Sequence, residues 1–305
     1  MKFFLVKLNE YETLYKYNFS NLNDLYNYLK SNPTVNTRIF RKQASLKNDT
    51  DFNGVPLTEA TEYLKGGYNI DFDKFDMATR SIRKIGYEDV DSRKLVLSQH
   101  GGVYLSPLVA AGVPNCMVKY ERDTNPKHIT IYFQLGYSWM TTPTQVFNRG
   151  IATINLIQSL EDKGYIVDLK VFELSECDNE YIDLSVNIKQ VDELLNITKC
   201  YYPLVSKEFL RRLLFRVLES TPVNSSWSQG YGSSLNSDEI RKFYKLKEKD
   251  LIIAPPIEIG IRGEDIFEDT VSLFENLNLD TEFDLTKLKQ KIKGSLSNSV
   301  GGTKN

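Results

Sequence analysis

The sequence predicts an α/β protein whose larger part, residues 128–280, is a mainly parallel sheet flanked by helices. Three consecutive stretches carry that expectation. HITIYFQL from His128 and IVDLKVFELSE from Ile166 are apolar strands, and IATINLIQSLEDKGY between them is an amphipathic helix. A helix that joins two such strands is the βαβ unit of a parallel pair.

Within the helix, Ile151, Ile154, Ile157 and Leu160 recur at three-residue steps, and Leu156 widens the apolar side. Glu161, Asp162 and Lys163 close the polar side, and Gly164 stands where a left-handed C-cap is expected. Pro143 and Thr144 predict a turn ahead of the helix. Beyond it, Val167, Leu169 and Val171 face one way, with Ile166 and Phe172 on the other side. That two-sided apolarity fits a strand covered on both faces. The alternating YIDLSVNIKQ, residues 181–190, follows a hairpin turn at residues 177–180 and adds one antiparallel edge.

Composition bounds the rest. At 305 residues the chain exceeds what one core usually grows to, so two compact regions are expected. Basic residues number 38 against 40 acidic ones, so no global positive field recruits nucleic acid and only a local patch would. Cys116, Cys177 and Cys200 are odd in number and far apart, which argues against a disulfide framework and for a reducing compartment. Residues 1–8 (MKFFLVKL) are too short and too interrupted by lysine for a signal peptide and read as a first strand. No run approaches the ~20 apolar residues of a membrane span. The expected location is a cytoplasm, or a particle assembled in one.

Residues 1–100 read as a small α+β region. Asn18, Ser20 and Asn21 offer caps for a helix with Leu22, Leu25 and Leu29 on one face, and Pro33 lies beyond its end. After a polar loop over residues 41–51, Pro56 starts a second helix that Gly66 and Gly67 stop. A charged helix runs from Phe72 to Lys84. Residues 101–127 open with GGVYLSPLVAAGVPNCMV, an uncharged Gly/Pro-rich run that reads as a seam between the two regions. In the larger region Ser206 is a candidate N-cap for a helix with Phe209, Leu210, Leu213, Leu214, Val217 and Leu218 as its buried stripe. Lys207, Arg211, Arg212 and Arg216 occupy the rest of that surface, as a solvated face or as a contact for an acidic or phosphate-bearing partner. TPVNSSWSQGYGSSLNSD, residues 221–238, is a long loop carrying Trp227 and Tyr231. A helix near 238–247, the strand DLIIAPP and a last helix near 266–277 precede a flexible tail over 281–305.

Several chemistries lack their residues. Gly136-Tyr137-Ser138 follows a strand as a nucleophile elbow would, but position 140 is Met140, and His100 and His128 both precede the serine. An α/β-hydrolase places its histidine after the nucleophile. No Cys or His pair stands at zinc spacing, and neither a phosphate-binding loop nor a dinucleotide fingerprint occurs. Glu264/Asp265 and Glu268/Asp269 fit an acidic turn and a helix N-terminus. No cofactor and no catalytic residue is assigned.

The strand–helix–hairpin–helix order from residue 128 onward resembles a von Willebrand factor A-like domain, a Rossmann-like fold. The resemblance implies a cation held by DxSxS after the first strand. The matching positions read Gln134-Leu135-Gly136-Tyr137-Ser138, so Gln134 and Ser138 would hold a hard cation poorly and the metal site is degenerate. FSNLNDLYNYLKSNP, FNGVPLTEATEYLKGGY, VPNCMV and NRGIATINLIQSLEDKGYIVDL also resemble an uncharacterised family of bacteriophage proteins. That resemblance carries no assigned activity. The expected function is non-enzymatic: binding a protein partner, host factor or virion component, through loops at the top of the sheet. Trp139, Trp227 and Tyr231 are the expected anchors. The alternative is a nucleic-acid-associated factor using Lys207, Arg211, Arg212 and Arg216.

Overall fold

A computed structural model describes residues 1–36, 44–47, 53–86, 94–98, 103–121, 127–191, 193, 195–224, 227, 231 and 233–277. Most of the expected loop at 41–51, part of the loop at 221–238 and the expected tail at 281–305 lie outside the described residues.

The chain opens on strands β1 (Lys2–Lys7) and β2 (Thr13–Phe19), an antiparallel hairpin. Helix α1 (Leu22–Lys30) follows, its N-terminus closed by Asn21, whose side chain accepts from Asp24 N. Helix α2 (Leu57–Gly66) starts after Pro56 and ends at Gly67, which takes the positive φ of 89° that glycine tolerates. Helix α3 (Phe72–Gly86) completes this part. Next come β3 (Lys94–Ser98), β4 (Val103–Tyr104), a short helix α4 (Ser106–Ala110) and β5 (Met117–Glu121). The expected Gly/Pro seam is therefore part of a small antiparallel sheet of order β3-β5-β4.

The predicted βαβ unit is β6 (His128–Gln134), α5 (Pro143–Asp162) and β7 (Ile166–Cys177), with β6 and β7 parallel. Helix α5 begins earlier than its apolar period suggests. Thr142 accepts from Gln145 N and the Gln145 side chain returns a bond to Thr142 N, a capping box that makes Pro143 the first helical residue rather than a turn. The hairpin to β8 (Glu180–Lys189) turns at Asp178 and Asn179, both at positive φ, as a two-residue turn matched to strand twist requires.

Helix α6 (Ile197–Val205) leads into α7, a π-helical segment Phe209–Leu214 that continues as α-helix Phe215–Glu219. Ser206 ends α6 and, as expected, also caps the helical run that begins at residue 207, its hydroxyl accepting from Glu208 N at 3.2 Å. The remainder is β9 (Ser233–Ser234), α8 (Ser237–Tyr244), β10 (Leu251–Ile253) and α9 (Ile266–Asn276).

The main sheet runs β1-β2-β8-β7-β6-β10, with β9 laid against β7. The β2–β8, β7–β6 and β6–β10 pairs are parallel. Strand β8 is thus interior rather than the expected antiparallel edge. Its sequence allows this because Ile182, Leu184, Val186 and Ile188 are wholly buried on one face and Asp183 on the other. The N-terminal hairpin extends the same sheet, and Tyr15, Tyr17, Phe19 and Leu25 join one core cluster with Ile131, Val171, Ile154 and Leu213. The expected boundary between residues 1–100 and 128–280 is therefore crossed by the sheet. Helix α5 covers one sheet face over Ile131, Phe133, Leu169 and Val171, and α8 covers the other over Phe172, Leu174 and Ile252.

Close packing of α5 on α6 depends on Gly150. A Cβ there would stand 2.5 Å from Leu204 O, a backbone atom that cannot rotate away. Gly150→Ala is expected to cost about 1–3 kcal/mol by overpacking, read as a lowered urea midpoint at unchanged slope.

Candidate functional site

Strands β6 and β10 are parallel neighbours, so their carboxyl ends stand side by side. Strand β6 exits to α5, and the chain that leaves β10 runs to α9, which packs in the same core cluster as α5. The loops that follow the two strands border a crevice at those ends. Here the crevice is a cleft of about 540 Å³, walled by the loop after β6 (Gly136, Tyr137, Ser138, Trp139), the segment after β10 (Pro255, Ile257, Glu258) and α7 (Leu210, Arg211, Phe215).

The walls are held from below. Arg149 of α5 is fully buried and donates one nitrogen, Nη1, to Gln134 O at 2.9 Å and Ala254 O at 3.1 Å, tying the ends of β6 and β10 together. Its guanidinium lies 4.1 Å from the Phe133 ring centre. Asn148, one residue earlier, donates to Asp269 at 2.7 Å, and Asp269 accepts from the backbone of Arg262 and Gly263. Gln145 donates to Ile261 O. One turn of α5 therefore positions the chain that follows β10.

The floor is rich in polar groups that the protein leaves unanswered. Tyr137 Oη, Thr141 Oγ1, and Nε and Nη2 of Arg149 are buried without a hydrogen-bond partner. Tyr137 sits between two guanidinium groups, Arg211 at 5.3 Å and Arg149 at 5.8 Å from its ring centre. Burial pushes the Tyr137 hydroxyl up to about 12 against the pull of both arginines. Burial likewise lowers the Arg149 guanidinium to about 9, while Tyr137 and Glu258 oppose the shift. Glu258 is raised by burial and held back by Arg149. Of the unanswered groups, Tyr137 and Thr141 line the cleft, and a carbonyl or carboxylate there would answer their hydroxyls.

The sequence-derived residues divide. Trp139, Tyr231, Arg211 and Ser138 line this one cleft. Trp139 is 75% exposed, whereas Trp227 is 1% exposed and donates Nε1 to the Glu180 carboxylate at 3.3 Å. Tyr231 is half-buried, stacked on Phe215 at 3.6 Å, and donates to Glu219 at 2.8 Å. The expected basic face of α7 is turned inward: Arg211, Arg212 and Arg216 are all buried, and Lys207 is half-buried. Arg212 donates to the backbone oxygens of Ser45, Lys47, Gly54 and Val55, and Arg216 to Asn32 and Pro33 O. Those carbonyls belong to irregular chain that no ladder satisfies, so the guanidinium forks take their place. Gln134 is wholly buried and donates to Leu235 O, and Ser138 accepts from Met140 N.

Tyr137, Thr141, Arg149 and Glu258 were not singled out by sequence. One signal was available for Arg149. It is the only charge between Pro143 and Leu160 in a helix otherwise apolar or uncharged.

The model of a domain of unknown function, DUF7192, matches residues 7–281. The chain belongs to that family. DUF7192 spans both regions expected from sequence, in keeping with a sheet that draws strands from each. Against curated proteins and solved structures the chain has no significant match. Among the described residues, no helix is long and apolar enough to cross a membrane.

Proposed function

We propose that the chain is a non-enzymatic binding module that takes a segment of a protein partner into the cleft at the carboxyl ends of β6 and β10. The observation that carries this reading is the rim and floor together. Trp139, Met140 and Ile257 stand exposed beside a cleft whose floor keeps unpartnered Tyr137 and Thr141 hydroxyls. An exposed tryptophan over a polar pocket has the make-up of a contact hot spot, where an aromatic anchor dominates the energy. A partner segment that lays an apolar side chain on Trp139 and directs a carbonyl or carboxylate at the floor meets both demands.

The order β8-β7-β6-β10, with β8 reversed, supports the von Willebrand factor A-like part of this proposal. The phage resemblance supports a host factor or virion component as the partner, met in the host cytoplasm or the particle. In this reading Trp139 is the principal anchor, with Tyr231 and Arg211 shaping the wall.

The test is a displayed random-peptide library selected against the immobilised protein. Selected peptides are expected to lose about tenfold or more in affinity for Trp139→Ala, the scale of a hot-spot residue. Val191→Ala, an exposed apolar position at the far end of β8, should leave affinity unchanged. Peptides that bind wild type and Trp139→Ala alike would remove the cleft as the site.

A further inference from the structure

Strand β1 ends the main sheet, with β2 on one side and no described strand on the other. Its sequence is that of an interior strand. Phe3 and Leu5 point to one face and Phe4 and Val6 to the other, yet all six residues are exposed, Leu5 at 61%. Interior strands β7 and β8 have comparable two-sided patterns and are buried. A long apolar edge with free backbone groups is a template for another strand.

Register decides what that strand can be. Leu8 N donates to Glu12 O at 3.0 Å, and the pairing runs on from Lys7 opposite Thr13 to Lys2 opposite Asn18. Hydrogen-bonded and non-bonded pairs alternate along an antiparallel ladder. Val6, Phe4 and Lys2 therefore turn their backbone groups to β2, and Phe3, Leu5 and Lys7 turn theirs outward.

We propose that β1 pairs with β1 of a second copy, antiparallel, about a two-fold axis through Leu5. In that register Phe3 lies opposite Lys7, Leu5 opposite Leu5, and Lys7 opposite Phe3. Outward groups meet outward groups at each pair, and every pair exchanges both of its backbone bonds. On the opposite face Phe4 meets Val6 twice, an aromatic–β-branched pair of the kind that stabilises sheets. The register centred between Phe4 and Leu5 would set Lys2 against Lys7 and is out of phase with the ladder. A register centred on Phe4 is in phase and sets Phe4 against Phe4, but its only hydrogen-bonded pairs within the strand are Phe3–Leu5. The result is one sheet continuous through two copies, an isologous interface that removes both edges. A single strand pair is a small contact beside the ~800 Å² per partner of standard complexes, so a weak, concentration-dependent dimer is expected.

Sedimentation velocity of the full chain between about 1 and 100 µM is expected to show monomer converting to dimer. Leu5→Lys should leave a monomer throughout, with an unchanged melting temperature because the side chain is exposed. The register is read separately with Cys116 and Cys177 replaced by serine and Cys200, which is buried, left in place. On mild oxidation Leu5→Cys should form a covalent dimer, because hydrogen-bonded pairs hold Cα atoms ~5.5 Å apart, within disulfide reach. Phe4→Cys should remain mostly uncrosslinked. A wild-type monomer at 100 µM, or a dimer that survives Leu5→Lys, overturns the proposal. Faster crosslinking at Phe4→Cys than at Leu5→Cys overturns the register.

Discussion

Arg212→Met is expected to destabilise the protein by about 3 kcal/mol or more, because several buried backbone acceptors lose their donor at about 1–3 kcal/mol each. The guanidinium is 1% exposed, and its three nitrogens reach the carbonyls of Ser45, Lys47, Gly54 and Val55 at 2.6 to 2.9 Å. No other described element offers those carbonyls a ladder partner, so methionine would fill the volume and leave buried acceptors unpaired. Each such acceptor costs about 1–3 kcal/mol, less whatever water recovers. Arg212→Lys should recover little of the loss, because an ammonium cannot reproduce a planar fork that addresses several carbonyls at once. Equilibrium urea unfolding followed by circular dichroism measures the effect. A loss under about 1 kcal/mol for the methionine variant would show that the network is not holding residues 44–47 and 53–55 onto α7.

The same arginine shows where sequence reading reached its limit. Periodicity found α7, because Phe209, Leu210, Leu213, Leu214, Val217 and Leu218 mark an apolar stripe whatever surrounds the helix. It could not show that the remaining surface also faces protein, because burial of Arg211, Arg212 and Arg216 depends on irregular segments far away in the chain. Pattern sees a period, and irregular chain has none. The βαβ unit was legible for the converse reason, since β6, α5 and β7 are each long and their apolar order is local. The joining of β2 to β8 was not, because a parallel pair between residues 13–19 and 180–186 leaves no short-range mark. Within the cleft, Trp139 was legible as an aromatic in a loop. Tyr137 and Arg149 acquire their meaning only when the ends of β6 and β10 stand side by side.

Trp227→Ala is expected to cost about 3–5 kcal/mol, the loss typical of truncating a large buried aromatic. On sequence Trp227 and Tyr231 form one aromatic pair on a flexible loop, and both would then be dispensable for folding. In the fold they part. Trp227 is 1% exposed within the main core, and its Nε1 joins Tyr15 Oη and Asn224 N around the Glu180 carboxylate. That carboxylate is buried and must be answered by donors, so the tryptophan contributes both area and a hydrogen bond. Two further variants separate these contributions. Trp227→Phe keeps most of the area and removes the donor, for an expected loss of about 1–3 kcal/mol. Tyr231→Phe keeps the stack on Phe215, while Ser45 still supplies donors to Glu219, so about 0.5–1.5 kcal/mol is expected. Thermal and urea unfolding of the three variants should rank Trp227→Ala well above Trp227→Phe, with Tyr231→Phe least. If Trp227→Ala instead melts with the wild type, the ring is not part of the core and returns to the surface as a contact anchor beside Trp139.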